Sequence, residues 1–241
     1  MTVKEHYENH LGNFYSWMIG DFDVNEEVMR EFFASHGIAS QSDETALDLG
    51  CGNGIQSIAL AKLGFKVVSV DFNRKLLNEL ESRKKHYEIE PAESDIIDFL
   101  NCANKKFSLI VCMGDTIAHL GSKKWVREFV NLCSENLEKG GKLVLSFRDY
   151  SIELKGNDRF IPVKSDESKI LTCFLEYSPE YVKVTDIFYE KINGKWLQSV
   201  SSYDKIRILP EEIETLLKQY GFEIVSNEII SRMIYLTAIK S

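Results

Sequence analysis

The stretch Ala46-Leu47-Asp48-Leu49-Gly50-Cys51-Gly52-Asn53-Gly54 admits few architectures. It reads as a short buried strand, then a turn with glycine at every second position, then a helix opening at Ile55-Gln56-Ser57-Ile58-Ala59-Leu60. Alternate glycines let the backbone take positive φ and approach a ligand with no Cβ in the way, and the helix behind them starts with unpaired N–H groups. Such a turn holds a small ligand. Its spacing, Gly-x-Gly-x-Gly after Asp-Leu, is neither the Gly-x-Gly-x-x-Gly of nicotinamide and flavin folds nor a phosphate loop ending in Gly-Lys-Ser/Thr.

Beyond Thr45, long apolar segments alternate with helical patterns, which predicts a doubly wound α/β sheet. The second strand, Lys66 to Val70, ends on Asp71, 21 positions after Gly50. That is close to the ~20-residue spacing at which an acidic residue meets a ribose in βαβ nucleotide folds. Asp71 or Asn73 can equally cap a helix over Arg74 to Lys85. A short third strand around Tyr87 to Glu90 leads to Glu93-Ser94-Asp95-Ile96-Ile97, where Ser94 or Asp95 suits a helix cap for Ile97 to Asn101. The most apolar strand, Lys106 to Met113, empties into Gly114-Asp115-Thr116-Ile117-Ala118-His119-Leu120. A helix over Lys123 to Glu138 and the turn Lys139-Gly140-Gly141 precede a fifth strand, Lys142 to Phe147, which delivers Arg148-Asp149-Tyr150. Ligands of open α/β sheets sit beyond the carboxyl ends of the strands, here between the first and fourth.

Upstream, Tyr7, Leu11, Phe14, Tyr15 and Met18 share one face of a helix over Tyr7 to Met18. A second helix carries Val28, Met29, Phe32 and Phe33 on its face and ends at Gly37. These helices either cover the domain edge or act as a lid. After Ser151 come short alternating segments, Arg159 to Val163, Ile170 to Tyr177, Tyr181 to Ile192 and Trp196 to Ile208, punctuated by Ser178-Pro179 and Asn193-Gly194. They read as antiparallel strands with a hairpin, forming a small cap. A helix opening at Pro210 and ending at Gly221, with strands Phe222 to Asn227 and Met233 to Ile239, completes the main sheet. The expected division is a helical lid over residues 1–40, a ligand-binding domain over 41–150 and 206–241, and an inserted β-rich cap over 151–205.

A net charge of −8 disfavours a nucleic-acid partner, which draws on clustered Lys and Arg, and favours a small-molecule substrate. The five cysteines are odd in number and scattered, with no metal-ligand spacing, so reduced core thiols and no metal site are expected. The amino terminus has no apolar h-region and no run approaches the ~20 apolar residues that span a bilayer, so the expected location is the cytoplasm without stable membrane insertion.

Asp48 to Gly54 resembles motif I of the class I S-adenosylmethionine (SAM)-dependent methyltransferases. The resemblance implies a Rossmann-like seven-stranded sheet with an antiparallel last strand, and SAM as cofactor, leaving as S-adenosylhomocysteine. It implies that Asp48, Gly50, Cys51, Gly52 and Gly54 receive the aminoacid and ribose end, and that Asp71 accepts from both ribose hydroxyls. Asp95 and the Ile96 N–H would meet the adenine, Phe72 would pack on its face, Met113 would line the cofactor, and Tyr7 or Tyr15 would face the methyl group. Cys112 to Leu120, with Phe147-Arg148-Asp149-Tyr150 and Lys164-Ser165-Asp166, is similar to the glycine N-methyltransferase branch. That branch has Gly-Asn-Ser-x-Ala-His-Leu after strand four and His-Arg-Asn-Tyr after strand five.

Arg148 would thereby bind a substrate carboxylate, unless it pairs with Glu153 or Asp149. The branch's Asn is Asp115 here, a partner for a protonated amine or a cap for Thr116. The cap tyrosines do not align, although Tyr203 lies near the expected place. Asp115, His119 and Tyr203 are the candidates for a base or positioning group, and His119 can also be structural. The activity implied is methyl transfer to a small molecule, such as the amine of a carboxylate-bearing metabolite. A lipid or quinone-like acceptor is the alternative, since the aromatic N-terminal helix is similar to that of cyclopropane-fatty-acid synthases. A SAM-binding protein without catalysis is the third reading.

Overall fold

The computed structural model describes residues 1–241. The chain runs through α1 (Val3–Asn9), α2 (Tyr15–Ile19), α3 (Phe22–Ser35), β1 (Thr45–Leu49), α4 (Ile55–Lys62), β2 (Lys66–Asp71), α5 (Arg74–Arg83), β3 (Ile89–Glu93), α6 (Ile96–Cys102) and β4 (Phe107–Cys112). There follow α7 (Lys123–Asn136), β5 (Leu137–Arg148), β6 (Phe160–Ser165), β7 (Lys169–Tyr177), β8 (Tyr181–Ile192), β9 (Lys195–Ile206), α8 (Pro210–Gln219), β10 (Phe222–Ile230) and β11 (Met233–Lys240). Seven strands form one sheet in the order β10-β11-β5-β4-β1-β2-β3, and β6-β7-β8-β9 form a second, antiparallel one. In the large sheet β11 runs antiparallel to both its neighbours, while β1 to β5 are parallel. The order reverses between β1 and β4, so the carboxyl ends of those strands flank a crevice.

The core follows from the parallel strands being covered on both faces. One cluster, with Phe107, Phe129, Phe147 and Leu217, lies under α6, α7 and α8, and another, with Phe33, Leu60, Leu77 and Leu80, lies under α3, α4 and α5. Asn73 caps α5 by accepting from the Leu76 N–H at 3.2 Å, and Asp95 caps α6 by accepting from the Ile97 N–H at 2.8 Å. No helix is long and apolar enough to cross a membrane.

Several expectations are corrected. The helix expected over Tyr7 to Met18 is broken into α1, a 3₁₀ turn at Leu11–Asn13, and α2. At the break a Cβ on Gly12 would lie 2.6 Å from the Tyr7 carbonyl, so the chain folds back on itself only because residue 12 is glycine. Val28 is exposed on α3, so the inward face is Met29, Phe32 and Phe33. β3 runs later than expected, to Glu93, and α5 stops two residues earlier, at Arg83. Helix α7 stops at Asn136, whose side-chain amide donates to the carbonyls of Leu132 and Leu100, and Lys139-Gly140-Gly141 belongs to an extended β5. The Asn193-Gly194 hairpin stands, with φ of +50° and +79° at its two central residues as a type I′ turn requires.

Candidate active site

The turn after β1 holds Gly50, Gly52 and Gly54 at φ of +72°, +53° and +94°. Asp71, at the end of β2, anchors it: one carboxylate oxygen accepts from the Gly52 N–H at 2.9 Å and the other from the Asn73 N–H at 2.8 Å. The cap of α5 belongs to Asn73, and each Asp71 oxygen keeps acceptor capacity for a further donor. Burial pushes the Asp71 carboxyl above its ordinary value, against the pull of those N–H groups. α4 begins at Gly54 with no side-chain cap, which leaves its first N–H groups beside the turn. Cys51 contributes backbone only, since its thiol is buried and pushed up by burial.

Asp48 lies under the turn, 1 % exposed, with its carboxylate 2.6 Å from the donating Ser57 hydroxyl, which in turn accepts from Ser69. It supports the turn from below and does not face the crevice. Burial pushes its carboxyl up to about 7 from an ordinary 3.8. The folded state therefore holds a proton there that the unfolded chain releases at lower pH. Its stabilising share is complete below the unfolded value and is lost as pH rises through about 7. Asp48→Asn is expected to become more stable relative to the native chain by about 2–4 kcal/mol between pH 4 and pH 8, read from urea denaturation of both at each pH.

The N-terminal segment lies over this turn. The Tyr15 hydroxyl is 3.2 Å from where a Gly52 Cβ would be, so a larger residue at position 52 would displace it. Asn53 donates to the Ser16 hydroxyl at 3.1 Å, and Ser16 donates to Glu79 of α5. Tyr7 meets Phe72 edge-on at 5.6 Å between ring centres and His119 at 5.8 Å. Burial pushes both phenols up, so they stay protonated. His6, fully buried, lies 2.8 Å from the Ser201 hydroxyl and 3.1 Å from Asp186 of the cap sheet, and its ring is 4.2 Å from Tyr203. Phe14 is stacked on Phe188 of the cap at 3.9 Å, which ties the N-terminal segment to the cap sheet.

On the other side of the crevice, β4 is followed by Met113, which is buried and whose carbonyl accepts from the Thr116 hydroxyl at 2.8 Å. Asp115 adopts a left-handed φ of +72°, with its N–H on the Ser146 carbonyl. It does not cap Thr116. One oxygen accepts from the Arg148 N–H at 2.9 Å, and the other from the Tyr150 hydroxyl at 3.1 Å and the Lys205 ammonium at 2.6 Å. The amine partnered by Asp115 is thus the protein's own. Burial alone would push this carboxyl up, but Lys205 and the backbone donor hold it below the usual range, so it stays ionised.

His119 lies between the rings of Tyr7 and Tyr203, and burial, aided by Lys205, pushes its imidazole down to about 3. At neutral pH it is an uncharged imidazole. The Arg148 guanidinium is exposed and pairs with neither expected carboxylate: Glu153 pairs with Arg207 at 2.6 Å, and Asp149 accepts from the Ser151 N–H. Asp95 lies one strand beyond Asp71, where the Ser94 N–H donates to the Asp71 carbonyl. One Asp95 oxygen caps α6 while the Ile96 side chain is buried. Lys205, Tyr150 and His6 escape the sequence reading. A lysine in register with Ser201 and Tyr203 on the inward face of β9 is the signal that marks Lys205.

Residues 46–141 match the family model described as a methyltransferase domain. With the strand order and the Asp71-anchored glycine turn, this stretch is similar to the class I SAM-dependent methyltransferase domains. The chain is 28% identical to glycine N-methyltransferase of Rattus norvegicus over 180 residues, 67% of this chain and 61% of the relative. It is 29% identical over 130 residues to the mitochondrial ubiquinone biosynthesis O-methyltransferase of Schizosaccharomyces pombe, covering 52% of this chain and 43% of that one. It thus spans about three fifths of the rat protein. Among solved structures, the CcbJ methyltransferase of Streptomyces caelestis superposes with a TM-score of 0.79 at 16% identity, covering 99% of each chain. SAM-bound CalS10, an amino pentose methyltransferase, gives 0.72 at 16% identity over 92% of each.

The pocket fits that cofactor on its own chemistry. A backbone turn that only glycines can follow, a buried carboxylate with spare acceptor capacity at the end of β2 and an uncapped helix start suit the aminoacid and ribose groups.

Proposed function

We propose that the chain methylates the amine of a small, carboxylate-bearing metabolite. The observation that carries this reading is the exposed, unpaired Arg148 guanidinium, whose backbone is fixed by Asp115 at the acceptor side of the crevice. A guanidinium fork meets both oxygens of a carboxylate in parallel. The glycine N-methyltransferase relatives and the amino pentose methyltransferase neighbour support an amine acceptor. The backbone of Gly50 to Gly54, Asp71, Phe72, Asp95, Ile96, Met113 and Tyr15 would hold SAM. Residues 1–40 would act as a lid and 151–205 as a substrate cap over the cofactor domain of 41–150 and 206–241. When bound, SAM supplies an electrophilic methyl group on a sulfonium.

The chain's own share is positioning and exclusion of water. Asp115 is held ionised below the usual carboxylate range by Lys205 and His119 is a weak base, so neither takes a proton from an ammonium. The acceptor amine arrives unprotonated, with His119 and the Tyr203 phenol placed as hydrogen-bonding partners around it. Holding the reactants in line supplies most of the acceleration. The test is transfer of labelled methyl from SAM to amines, amino acids, sugars and lipid extracts. Carboxylate-bearing amines are expected to take the label, and Arg148→Ala to lower kcat/KM for them by about 10²-fold with SAM affinity unchanged. Label confined to lipids, or equal turnover by Arg148→Ala, would refute the reading.

A further inference from the structure

The acceptor side of the crevice carries a buried ion pair next to the exposed Arg148. Where the similar branch has a neutral Asn, this chain has Asp115, and 90 residues later the cap strand β9 delivers Lys205, with Nζ 2.6 Å from Asp115 Oδ2. Lys205 is 9 % exposed and Asp115 2 %, so the pair is shielded from water. The same carboxylate fixes the Arg148 backbone N–H and the Tyr150 hydroxyl, both at the end of β5. The Tyr203 ring lies 5.8 Å from the Lys205 ammonium on the same strand.

Asp115 is therefore the joint between three parts: the exit of β4, the exit of β5 that carries Arg148, and the cap. Without Lys205 the buried carboxylate would have no cationic partner, and its attraction in a poorly solvated site would draw inward the guanidinium of Arg148, whose backbone N–H it already holds. With Lys205 in place Asp115 is neutralised, and the positive charge of Arg148 stays available to the acceptor.

We propose that Lys205 is the positioning residue of the acceptor pocket: by pairing with Asp115 it docks the cap strand and keeps the Arg148 guanidinium free for an anionic acceptor. This rests on the reading of Arg148 as the carboxylate anchor. The ammonium of Lys205 balances the carboxylate of Asp115, so the pair adds no net charge to the pocket.

A double-mutant cycle tests it, with Lys205→Met, Asp115→Asn, the double variant and Lys205→Arg. The readouts are KM for the carboxylate-bearing amine that takes the label, SAM affinity by calorimetry, and titration of acetate into the S-adenosylhomocysteine complex. Lys205→Met is expected to raise the acceptor KM at least about tenfold with SAM affinity within about twofold, since a removed partner leaves its mate buried and unpaired. The double variant should return KM to within about threefold of the native chain, because both charges are gone together, and Lys205→Arg should keep most of the affinity. A merely structural contact would lower SAM affinity and stability alike, with the acceptor KM moving no more than SAM affinity does. An unchanged KM in Lys205→Met, or a double variant no better than the worse single one, would overturn the proposal. If the native chain methylates no carboxylate-bearing amine, the substrate reading fails and acetate decides the rest. Acetate bound by the native complex and lost in Lys205→Met supports the role of Lys205, and identical behaviour of the two overturns it.

Discussion

Asp71→Ala is expected to weaken SAM binding by about 10²- to 10⁴-fold, because two hydrogen bonds to a charged group contribute roughly 1.5–3 kcal/mol each. The expectation has a second source in the structure. Asp71 is also the acceptor for the Gly52 N–H at 2.9 Å, so its removal leaves the glycine turn without its tie to β2. Asp71→Asn separates the two contributions: its single carbonyl oxygen can hold one backbone N–H, while its amide can only donate. It should fall between the native chain and Asp71→Ala. Calorimetric titration of SAM into the three proteins gives the order, and thermal unfolding shows whether the fold survives. Equal heats from the native chain and Asp71→Ala would remove SAM as the ligand of this turn.

What the sequence makes legible here is what local chemistry decides. Apolar runs ending in polar turns locate β1, β2 and β4, and the Asn193-Gly194 pair locates the β8–β9 hairpin because both residues must take positive φ. The spacing from Gly50 to Asp71 puts a carboxylate at the adjacent strand end, where it is found tied to the turn. Elements that depend on distant partners are less legible. The apolar face of Tyr7 to Met18 has helical period throughout, yet the chain breaks at Gly12, where a Cβ would meet the Tyr7 carbonyl at 2.6 Å and the side chain of the distant Asn73 at 3.0 Å. Helix α7 ends where Asn136 reaches Leu100, a contact made across two helices.

The same holds for the acceptor side. Read alone, Asp115 is a carboxylate beside a ligand crevice, and either base or cap is a fair assignment. Its partner Lys205 lies on another sheet, and only that contact shows the carboxylate to be neutralised and unable to serve as a base. Arg148 shows the converse. Two acidic residues within five positions suggested local pairing, but Arg207 takes Glu153 and leaves the guanidinium free.

Among the glycines of left-handed φ around the crevice, structure separates those that only shape the backbone from those that also make room. Gly114 has φ of +72° with nothing within 4 Å of a Cβ, so Gly114→Ala should cost only the left-handed strain of about 1–2 kcal/mol. At Gly54, φ is +94° and a Cβ would lie 2.3 Å from Cδ1 of Leu80, which is fully buried against Ile58, Ala59 and Leu77. Leu80 cannot retreat without displacing that cluster, so Gly54→Ala adds overpacking to strain, and the sum is about 2–5 kcal/mol. Gly54 immediately precedes α4, so relief by backbone movement would shift the N–H groups at the start of that helix. Gly54→Ala is therefore expected to lose both stability in urea denaturation and SAM affinity, whereas Gly114→Ala keeps most of both. Matching losses in the two variants would mean that left-handed strain alone sets the cost and that α5 does not press on the turn. A Gly54→Ala chain that is less stable but binds SAM normally would place the ligand contacts on Gly50 to Gly52 and Asp71, clear of the start of α4.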